Sequence, residues 1–331
     1  MRAAVIGAGA WGTALADMLG CSGHDVRVWA LEPDVVRRIN TQRENPVFLP
    51  GFTLAQSLRA THEQNEALDG AELVVYATPS QNLREIAREG ARHVAPNAVI
   101  AVASKGIEQT TLALMSDIVM QETPGHHVVA ISGPTFASEV AARQPTAIVA
   151  ASDHVDAAHL VQDAFSNATF RVYTHDDLIG VELGGALKNV MAVATGMVEG
   201  VGLGNNSRAA LITRGLAEMT RLGVALGARA STFAGLAGIG DLVLTCTGAL
   251  SRNRAVGVAV GQGQTLEQAL AGKPTIAEGV ATTKSACALA AREGVEMPIA
   301  AMVHRILFEG QTPKRAITEL MARELRPEQD E

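Results

Sequence analysis

The sequence has few cysteines and few aromatic residues, and both shortages narrow the possible fold. Its three cysteines, Cys21, Cys246 and Cys287, are far apart and form no CxxC pair, so neither a disulfide framework nor a zinc site is indicated. We therefore expect a reducing compartment, the cytoplasm. Aromatic residues make up only 3% of the chain against 32 glycines, so the core must be built from Ala, Val, Leu and Ile with close backbone contacts.

Metal-binding and membrane-spanning patterns are lacking as well. The nine histidines form no HExxH motif and no carboxylate cluster accompanies them, so no catalytic metal is expected. No stretch approaches about 18 uninterrupted apolar residues, and the apolar start reaches Gly7 too early for a signal peptide, so no membrane insertion is expected. A net charge of -7 gives no general attraction to nucleic acid, although a local basic pocket can still bind phosphate.

What the chain does contain is enough apolar sequence for two packed domains, since 47% of its 331 residues are hydrophobic. The first half alternates short β-branched runs with helical patterns, which is typical of a parallel sheet covered by helices. We predict an α/β fold, with an N-terminal doubly wound, Rossmann-like parallel sheet in residues 1–177 and an all-helical C-terminal domain in residues 178–331. Asp176 or Asp177 is predicted to cap the first helix of that second domain. The predicted strands are residues 2–6, 25–29, 73–77, 98–103, 127–132, 147–150 and 169–173.

A glycine-rich motif directly follows the first predicted strand. Residues 7–12 read GAGAWG, and a helical pattern continues to about residue 19. A G-x-G-x-x-G motif in this position predicts a dinucleotide site with the pyrophosphate at the helix N-terminus. Glu32 stands where an acidic residue bonds the ribose of NAD, but Arg37 and Arg38 are close enough to pair with the 2′-phosphate of NADP. The choice between NAD and NADP therefore stays open.

Two lysines and an arginine-rich turn are candidates for chemistry. Lys105 follows the strand predicted at residues 98–103, at the end where open α/β sheets bind ligands. Lys188 lies among small and apolar residues of a helix, which is unusual for a surface lysine. The turn 251–254 reads SRNR and follows Asp241 by ten residues, and its arginines can grip phosphate bidentately. Each feature alone is also compatible with a solvated or packing role.

Seven motifs follow one another from residue 7 to residue 283. They read GAGAWGTALA, SKGIE, SGPTFA, GGALKNVMAVATGMVEG, AGIGDLVLTCTG, SRNR and TIAEGVATT. Together they resemble the bacterial NAD(P)-dependent glycerol-3-phosphate dehydrogenases. The resemblance implies reversible conversion of dihydroxyacetone phosphate and NAD(P)H to sn-glycerol 3-phosphate, the backbone precursor of phospholipids. Composition and spacing do not give that substrate.

The same resemblance implies roles for individual residues. Lys188 would exchange the proton of the C2 hydroxyl, Lys105 would hold the substrate beside it, and Asp241 would orient the two lysines. A neighbouring cation and partial burial both disfavour an ammonium, so the pairing is expected to lower the pKa of one lysine. The implied substrate ligands are Lys105, Gly133, Thr135, Lys188, Asp241, Ser251, Arg252 and Asn253. The implied cofactor ligands are Gly7, Gly9, Ala10, Trp11, Gly12, Leu31, Lys105, Ala137, Arg252, Ile276 and Glu278.

One position departs from the family pattern. Members often carry a basic residue after the second strand, where this chain has Leu31. A leucine can pack on adenine but cannot pair with a 2′-phosphate. The departure weakens an assignment to NADP alone.

Two other interpretations stay open. A β-hydroxyacid dehydrogenase or ketopantoate reductase also places a lysine on a helix, but leaves the SRNR turn and Asp241 unexplained. A dinucleotide-sensing protein without catalysis would need neither Lys105 nor Lys188. The predicted partner is thus a small phosphorylated three-carbon substrate, and a homodimer is left open because the sequence does not give the oligomeric state.

Overall fold

A computed structural model describes residues 1–272, 277–325 and 327–328. Its first half is built on one eight-stranded sheet. The strands are β1 (Arg2–Ile6), β2 (Asp25–Trp29), β3 (Leu58–Thr61), β4 (Leu73–Tyr76), β5 (Val99–Val102), β6 (Val128–Ser132), β7 (Thr146–Ala151) and β8 (Phe170–His175). They are ordered β3-β2-β1-β4-β5-β6-β7-β8 across the sheet. This is the doubly wound arrangement that the alternating pattern predicts, extended by two strands.

All seven predicted runs form strands, and two features of the sheet need correction. The edge strand β3 was not predicted, because its sequence LRAT holds one leucine and an exposed Arg59. The predicted parallel sheet is confirmed except at one pair, since β7 runs antiparallel to β6. The connection between them contains only the five-residue helix Ala137–Ala141, about 7.5 Å long, and so lacks a helix long enough to pack along a strand of roughly 17 Å as parallel crossovers usually do.

Helices cover both faces of the sheet. Val5 and Val75 face one apolar core, whereas Ile6 and Tyr76 on the same strands face the other. Burial on both faces explains why the central strands are continuous apolar runs. The helices of this half are α1 (Ala10–Cys21), α2 (Pro33–Gln42), α3 (Gln64–Leu68), α4 (Leu83–Gly90), α5 (Met115–Glu122), α6 (Ala137–Ala141) and α7 (Val155–Phe165), with short 3₁₀ turns at Ser80–Asn82 and Ala91–His93.

The second half packs around one long helix, α8 (Leu178–Gly200). Apolar residues surround α8 on nearly all sides, so it is buried along most of its length. The carboxylate of Asp177 accepts a hydrogen bond from the Gly180 N–H at 2.9 Å, which makes it the N-cap. The helices that follow are α9 (Asn205–Ala225), α10 (Ala230–Phe233), α11 (Asp241–Thr247), α12 (Arg252–Gly261), α13 (Leu266–Leu270), α14 (Glu278–Arg292), α15 (Pro298–Phe308) and α16 (Pro313–Met321), with a wide turn at Leu236–Gly240 before α11.

Glycines allow α12 to pack directly against α8. A Cβ at Gly196 or at Gly257 would overlap the backbone of the opposite helix. The close approach fixes the start of α12 beside the middle of α8, where an Asn253 side chain bonds Asn189 at 2.8 Å. The SRNR turn is thereby held next to Lys188.

The sheet and the helical half meet at a short connection. β8 ends at His175 and α8 begins at Leu178. Ala130, Val149 and Val181 belong to one apolar cluster between the two halves. The assignment of residues 1–177 and 178–331 to two domains stays a prediction.

Two helical segments in the described part of the chain are long and apolar enough to cross a membrane. They are Leu178–Gly200, whose apolar window is 89% buried inside the protein, and Ala230–Thr247, for which the buried share is 44%. The first is the central helix of a core, which has the same length and composition as a membrane span.

Candidate active site

A crevice opens between the carboxyl ends of β1 and β4, because the order of strands reverses direction there. The GAGAWG loop lies at this crevice. Gly7 has a φ of +116°, and a Cβ there would lie 2.7 Å from the carbonyl oxygen of Ala77. A Cβ at Gly12 would overlap the carbonyl oxygen of Gly7. The conformation of the loop itself therefore depends on both glycines.

Gly9 differs from these two glycines. Its φ of -62° is open to any residue, and a Cβ there would meet nothing within 4 Å. The helix α1 begins at Ala10, so the free N–H groups of its first turn face the same space. Trp11 follows, with a buried Nε1 that has no hydrogen-bond partner among the described residues. A side chain at Gly9 would fill the cradle in front of the helix, so the loop fits the pyrophosphate of a dinucleotide.

The residues after β2 are those that distinguish the ribose 2′-hydroxyl of NAD from the 2′-phosphate of NADP in this type of fold. Leu31 is 73% exposed there, and Glu32 beside it is exposed as well. Arg37 and Arg38 both pair with Asp34, at 2.7 and 3.4 Å. Hydrogen bonds from these arginines lower the pKa of that carboxyl. Both candidate ligands for a 2′-phosphate thus already have an anionic partner.

A buried cluster of two lysines and one aspartate lies between the sheet and the helical half. Lys105 follows β5, Lys188 lies in α8, and Asp241 begins α11. Asp241 is fully buried; its Oδ2 accepts from Lys105 Nζ at 3.1 Å, and its Oδ1 pairs with Lys188 Nζ. Thr245 Oγ1, one turn along α11, donates to Oδ1 at 3.3 Å. The structure brings together three residues that are remote in the sequence.

The pKa of Lys188 is lowered to about 8. Burial is the main cause, because an ammonium loses its hydration in this position. Asp241 opposes the shift, whereas the second cation, Lys105, adds to it. This is the direction that the sequence predicts for one lysine of the pair. A group with such a pKa can both take up and release a proton near neutral pH.

The four side chains of the SRNR turn have different partners. Ser251 caps α12 by accepting a hydrogen bond from the Arg254 N–H at 3.2 Å. Arg254 donates twice to Glu199, at 3.0 and 2.7 Å. Arg252 is exposed, yet enough protein surrounds it that desolvation lowers its pKa, against the opposing charge of Glu278. Of the two arginines, Arg252 is the one placed to receive an anion.

Asn253 belongs to a buried chain of hydrogen bonds. Its Nδ2 donates to Asn189 Oδ1 at 2.8 Å, and its Oδ1 accepts from the Gly279 N–H at 2.9 Å. Asn189 is the neighbour of Lys188 in α8 and is 6% exposed. Asn189 was not among the predicted site residues. The available signal was a second polar residue beside the lysine in a stretch, residues 183–194, that is otherwise apolar.

The turn after β6 contacts the start of α11. Gly133 has a φ of +139°, and Thr135 Oγ1 donates to its carbonyl oxygen at 3.2 Å. A Cβ at Gly240 would lie 3.7 Å from Pro134 Cγ, which places the turn beside the first residue of α11. Ala137 is the first residue of α6. The predicted residues of this turn are thus close to the lysine cluster.

Glu278, the first residue of α14, reaches across to the loop after β4. Its carboxylate accepts hydrogen bonds from Ser80 N at 3.1 Å and from Ser80 Oγ at 2.5 Å. Burial raises the pKa of Glu278, against the effect of these hydrogen bonds and of Arg252. Ile276, the other residue predicted on this side of the cofactor, lies outside the described residues. Ser80 was not predicted, and its only sequence signal is its place after a buried strand.

Metal ligands and disulfides take no part in this arrangement within the described residues. The three cysteines are free. No group of three or more His, Cys, Asp or Glu side chains that could hold a metal ion occurs in the described part of the chain. The side chains of the lysine cluster supply two amines and one carboxylate.

Comparisons with known proteins agree over both halves. Family models described as the N-terminus and the C-terminus of NAD-dependent glycerol-3-phosphate dehydrogenase match residues 2–158 and 177–318. A Trichlorobacter lovleyi protein named as an NAD(P)+ glycerol-3-phosphate dehydrogenase is 54% identical over 332 residues, covering 99% of this chain and 100% of that protein.

Solved structures separate the family from its neighbours. The crystal structure of glycerol-3-phosphate dehydrogenase from Coxiella burnetii has a TM-score of 0.94 at 39% identity, covering 97% of this chain and 99% of that one. A ketopantoate reductase from Ralstonia eutropha reaches a TM-score of 0.60 at 16% identity, with 96% and 100% coverage, and shares the fold alone. With both family models matched and the relatives similar over nearly their full length, the chain belongs to the family of NAD-dependent glycerol-3-phosphate dehydrogenases.

Proposed function

We propose that the chain interconverts dihydroxyacetone phosphate and sn-glycerol 3-phosphate by hydride transfer with NAD(P)H, and so supplies the glycerol phosphate backbone of phospholipids. The observation that carries the proposal is the buried Lys188–Asp241–Lys105 cluster beside the dinucleotide crevice. A ketone that becomes an alcohol needs one hydride and one proton. The dinucleotide bound in the crevice would supply the hydride, and the lysine cluster would supply the proton.

The dinucleotide is held along the carboxyl end of the sheet. The loop of Gly7, Gly9 and Gly12 and the N-terminus of α1 receive the pyrophosphate, with Trp11 beside them. Leu31 packs on the adenosine end. When bound, the cofactor would supply the hydride that C2 of the substrate gains on reduction and take up the hydride that C2 loses on oxidation. Ala137, Arg252, Glu278 and Lys105 face the other end, and Ile276 is assigned there by resemblance alone.

Lys188 is the proton carrier. During oxidation its neutral amine removes the proton of the C2 hydroxyl, and during reduction its ammonium returns a proton to the C2 oxygen. Asp241 lies between the two lysines and fixes the position of both Nζ atoms. Lys105 holds the substrate oxygen and, as a second cation, favours the neutral form of Lys188.

The substrate phosphate binds at the start of α12. Arg252 provides a bidentate cation, and the free N–H groups of the helix N-terminus add to it. Ser251 and Asn253 shape this turn, since both side chains already bond protein groups. Gly133 and Thr135 close the site from the sheet side. A phosphate ligand explains why an exposed arginine stands beside a buried proton carrier.

Two further properties belong to this proposal. The three free cysteines support a cytoplasmic location, where thiols stay reduced. A homodimer is a prediction for size-exclusion chromatography of the purified chain.

The proposal is tested by following the absorbance of NADH after a ketone substrate is added. We expect oxidation of NADH after addition of dihydroxyacetone phosphate, and far slower oxidation with dihydroxyacetone, which lacks the phosphate. Turnover with ketopantoate and none with dihydroxyacetone phosphate would favour the ketopantoate reductase alternative. Binding of NADH with no turnover of any of these ketones would favour a dinucleotide sensor.

A further inference from the structure

Ser80 lies at the dinucleotide crevice for a topological reason. The crevice is bounded by the loops that follow β1 and β4, and residues 77–82 are the loop after β4. Contact between the two loops is direct, because a Cβ at Gly7 would lie 2.7 Å from the Ala77 oxygen and 3.2 Å from Thr78 Cγ2. Ser80 itself is 1% exposed.

The partner of Ser80 comes from the other half of the molecule. Glu278, 198 residues later, receives hydrogen bonds from both the N–H and the hydroxyl of Ser80, at 3.1 and 2.5 Å. A carboxylate with two donors at these distances is held in one orientation. The charge of Arg252 acts on the same carboxylate. One serine therefore aligns an acidic group at the edge of the crevice.

The loop after β5, which carries Lys105, packs against Ser80 as well. A Cβ at Gly106 would lie 2.6 Å from Ser80 Cβ and Oγ and 3.7 Å from Thr282 Oγ1. Gly106 has a φ of +156° and cannot be replaced without moving this contact. Gln81 donates to the Ile107 carbonyl at 2.9 Å, so the loops after β4 and β5 are tied together.

α14 is bonded to the loop after β5 as well. Ser285 Oγ donates to the Ile107 carbonyl at 3.0 Å, and Gln109 Nε2 donates to the Ala281 carbonyl at 3.3 Å. Ser80 and Glu278 thus form the charged contact in a seam of three segments: the loop after β4, the loop after β5 and the start of α14. The several hydrogen bonds other than Ser80–Glu278 hold the Lys105 loop in place independently of that contact.

We propose that Ser80 is a positioning residue for the dinucleotide: its N–H and hydroxyl hold Glu278 over the crevice and thereby fix the start of α14 against the sheet. The proposal rests on the proposed function in one respect, the identity of the ligand as NAD(P)H. Ser80 acts through Glu278 and contacts no reacting atom. Removing the Ser80 hydroxyl should weaken cofactor binding and leave the proton carrier Lys188 in place.

Ser80→Ala tests the proposal, with NADH affinity measured by fluorescence titration and turnover measured separately. Loss of one hydrogen bond to a carboxylate should weaken NADH binding about tenfold. The kcat at saturating NADH should stay within about twofold, because the Lys188–Asp241–Lys105 cluster is untouched. Glu278→Gln should also weaken binding, and Ser80→Ala should add little to it, since the two residues act as a pair.

Gln109→Ala is the matched control, because the Gln109 side chain also bridges to α14 but bonds the Ala281 carbonyl, whereas the Glu278 carboxylate is bonded by Ser80. It should leave NADH affinity unchanged. The proposal is overturned if Ser80→Ala binds NADH normally, if its effect adds fully to that of Glu278→Gln, or if Gln109→Ala weakens binding equally. Binding is measured without substrate, so these outcomes are independent of whether dihydroxyacetone phosphate is turned over.

Discussion

The sheet half and the helical half contribute to the site by opposite means. At the crevice between β1 and β4 the protein offers backbone: a loop in which side chains at Gly7 and Gly12 are sterically excluded and the N–H groups of α1 are free. Around α8 it offers charged side chains inside an apolar core, with Lys188 and Asp241 at 5% and 0% exposure. In the proposed function, the backbone of the crevice binds the anionic pyrophosphate through dipoles, and the side chains around α8 transfer the proton.

The two regions differ in whether their electrostatic interactions involve titratable groups. A backbone cradle needs no titratable group and should depend little on pH. A buried lysine depends on burial for its lowered pKa, so its activity should depend on pH directly. Substitutions in the two halves should therefore separate cofactor binding from catalysis.

The largest difference between the effect on catalysis and the effect on cofactor binding is expected for Lys188→Met. The variant keeps side-chain length and removes the titrating amine, so turnover should fall by about 10² to 10⁴ while NADH binding persists. Steady-state kinetics and fluorescence titration measure the two effects. A Lys188→Met enzyme with near-normal turnover would leave Lys105 as the better proton carrier; Lys105→Met is expected to raise KM as well as lower kcat, because its role is to hold the substrate.

The pH profile of the wild-type enzyme sharpens the same contrast. Oxidation of glycerol 3-phosphate needs the neutral amine of Lys188, whose pKa is about 8, so its rate should climb with pH and level off above that value. Reduction needs the ammonium, so its rate should fall through the same range. NADH affinity should change little across it. If the oxidation rate of Lys188→Met still rose with pH over this range, the titrating group would be a residue other than Lys188.

Gly9→Val should produce the reverse phenotype. The fold should survive, because φ of Gly9 is ordinary and its Cβ position is clear. NADH affinity should fall by at least about 100-fold, roughly 2.7 kcal/mol, because the side chain fills the pyrophosphate cradle. Gly12→Ala is the control: its Cβ overlaps the Gly7 carbonyl, so it should lower thermal stability as well as affinity. Normal NADH affinity in Gly9→Val would remove the loop from the cofactor site.

The two regions also differ in how far the sequence predicts them. The GAGAWG loop is contiguous, so its function follows from a local pattern. The Lys105–Asp241 pair spans 136 residues, and spacing alone could not join them; the resemblance did. Ser80 and Asn189 were missed because a single hydroxyl or amide has no pattern until its partner is known. The direction of β7 was missed because apolar runs do not encode it.

Arg252→Lys tests whether the helical half distinguishes two arginines of one turn. Lysine keeps the charge but loses the bidentate fork, so KM for dihydroxyacetone phosphate should rise about 10- to 100-fold. Arg254→Lys is the matched control, because both hydrogen bonds of the Arg254 guanidinium go to Glu199 and no substrate contact is assigned to it; its KM should stay within about twofold. Equal effects of the two variants, or unchanged discrimination between dihydroxyacetone phosphate and dihydroxyacetone, would refute the phosphate assignment.

The smallest expected effect concerns cofactor choice at the end of β2, where the sheet half does use side chains. Leu31 is exposed, and Arg37 and Arg38 are engaged by Asp34, so the wild-type kcat/KM for NADH and NADPH should agree within about tenfold. Leu31→Arg places a cation there and should shift the ratio toward NADPH by about twofold to fivefold, the size of one solvent-exposed ion pair. Asp34→Asn should shift the ratio in the same direction by releasing both arginines. High salt should reduce both shifts, because exposed charges are screened. A wild-type preference for NADPH above about a hundredfold, roughly 2.7 kcal/mol, would instead mean that Arg37 or Arg38 leaves Asp34 to bind the 2′-phosphate.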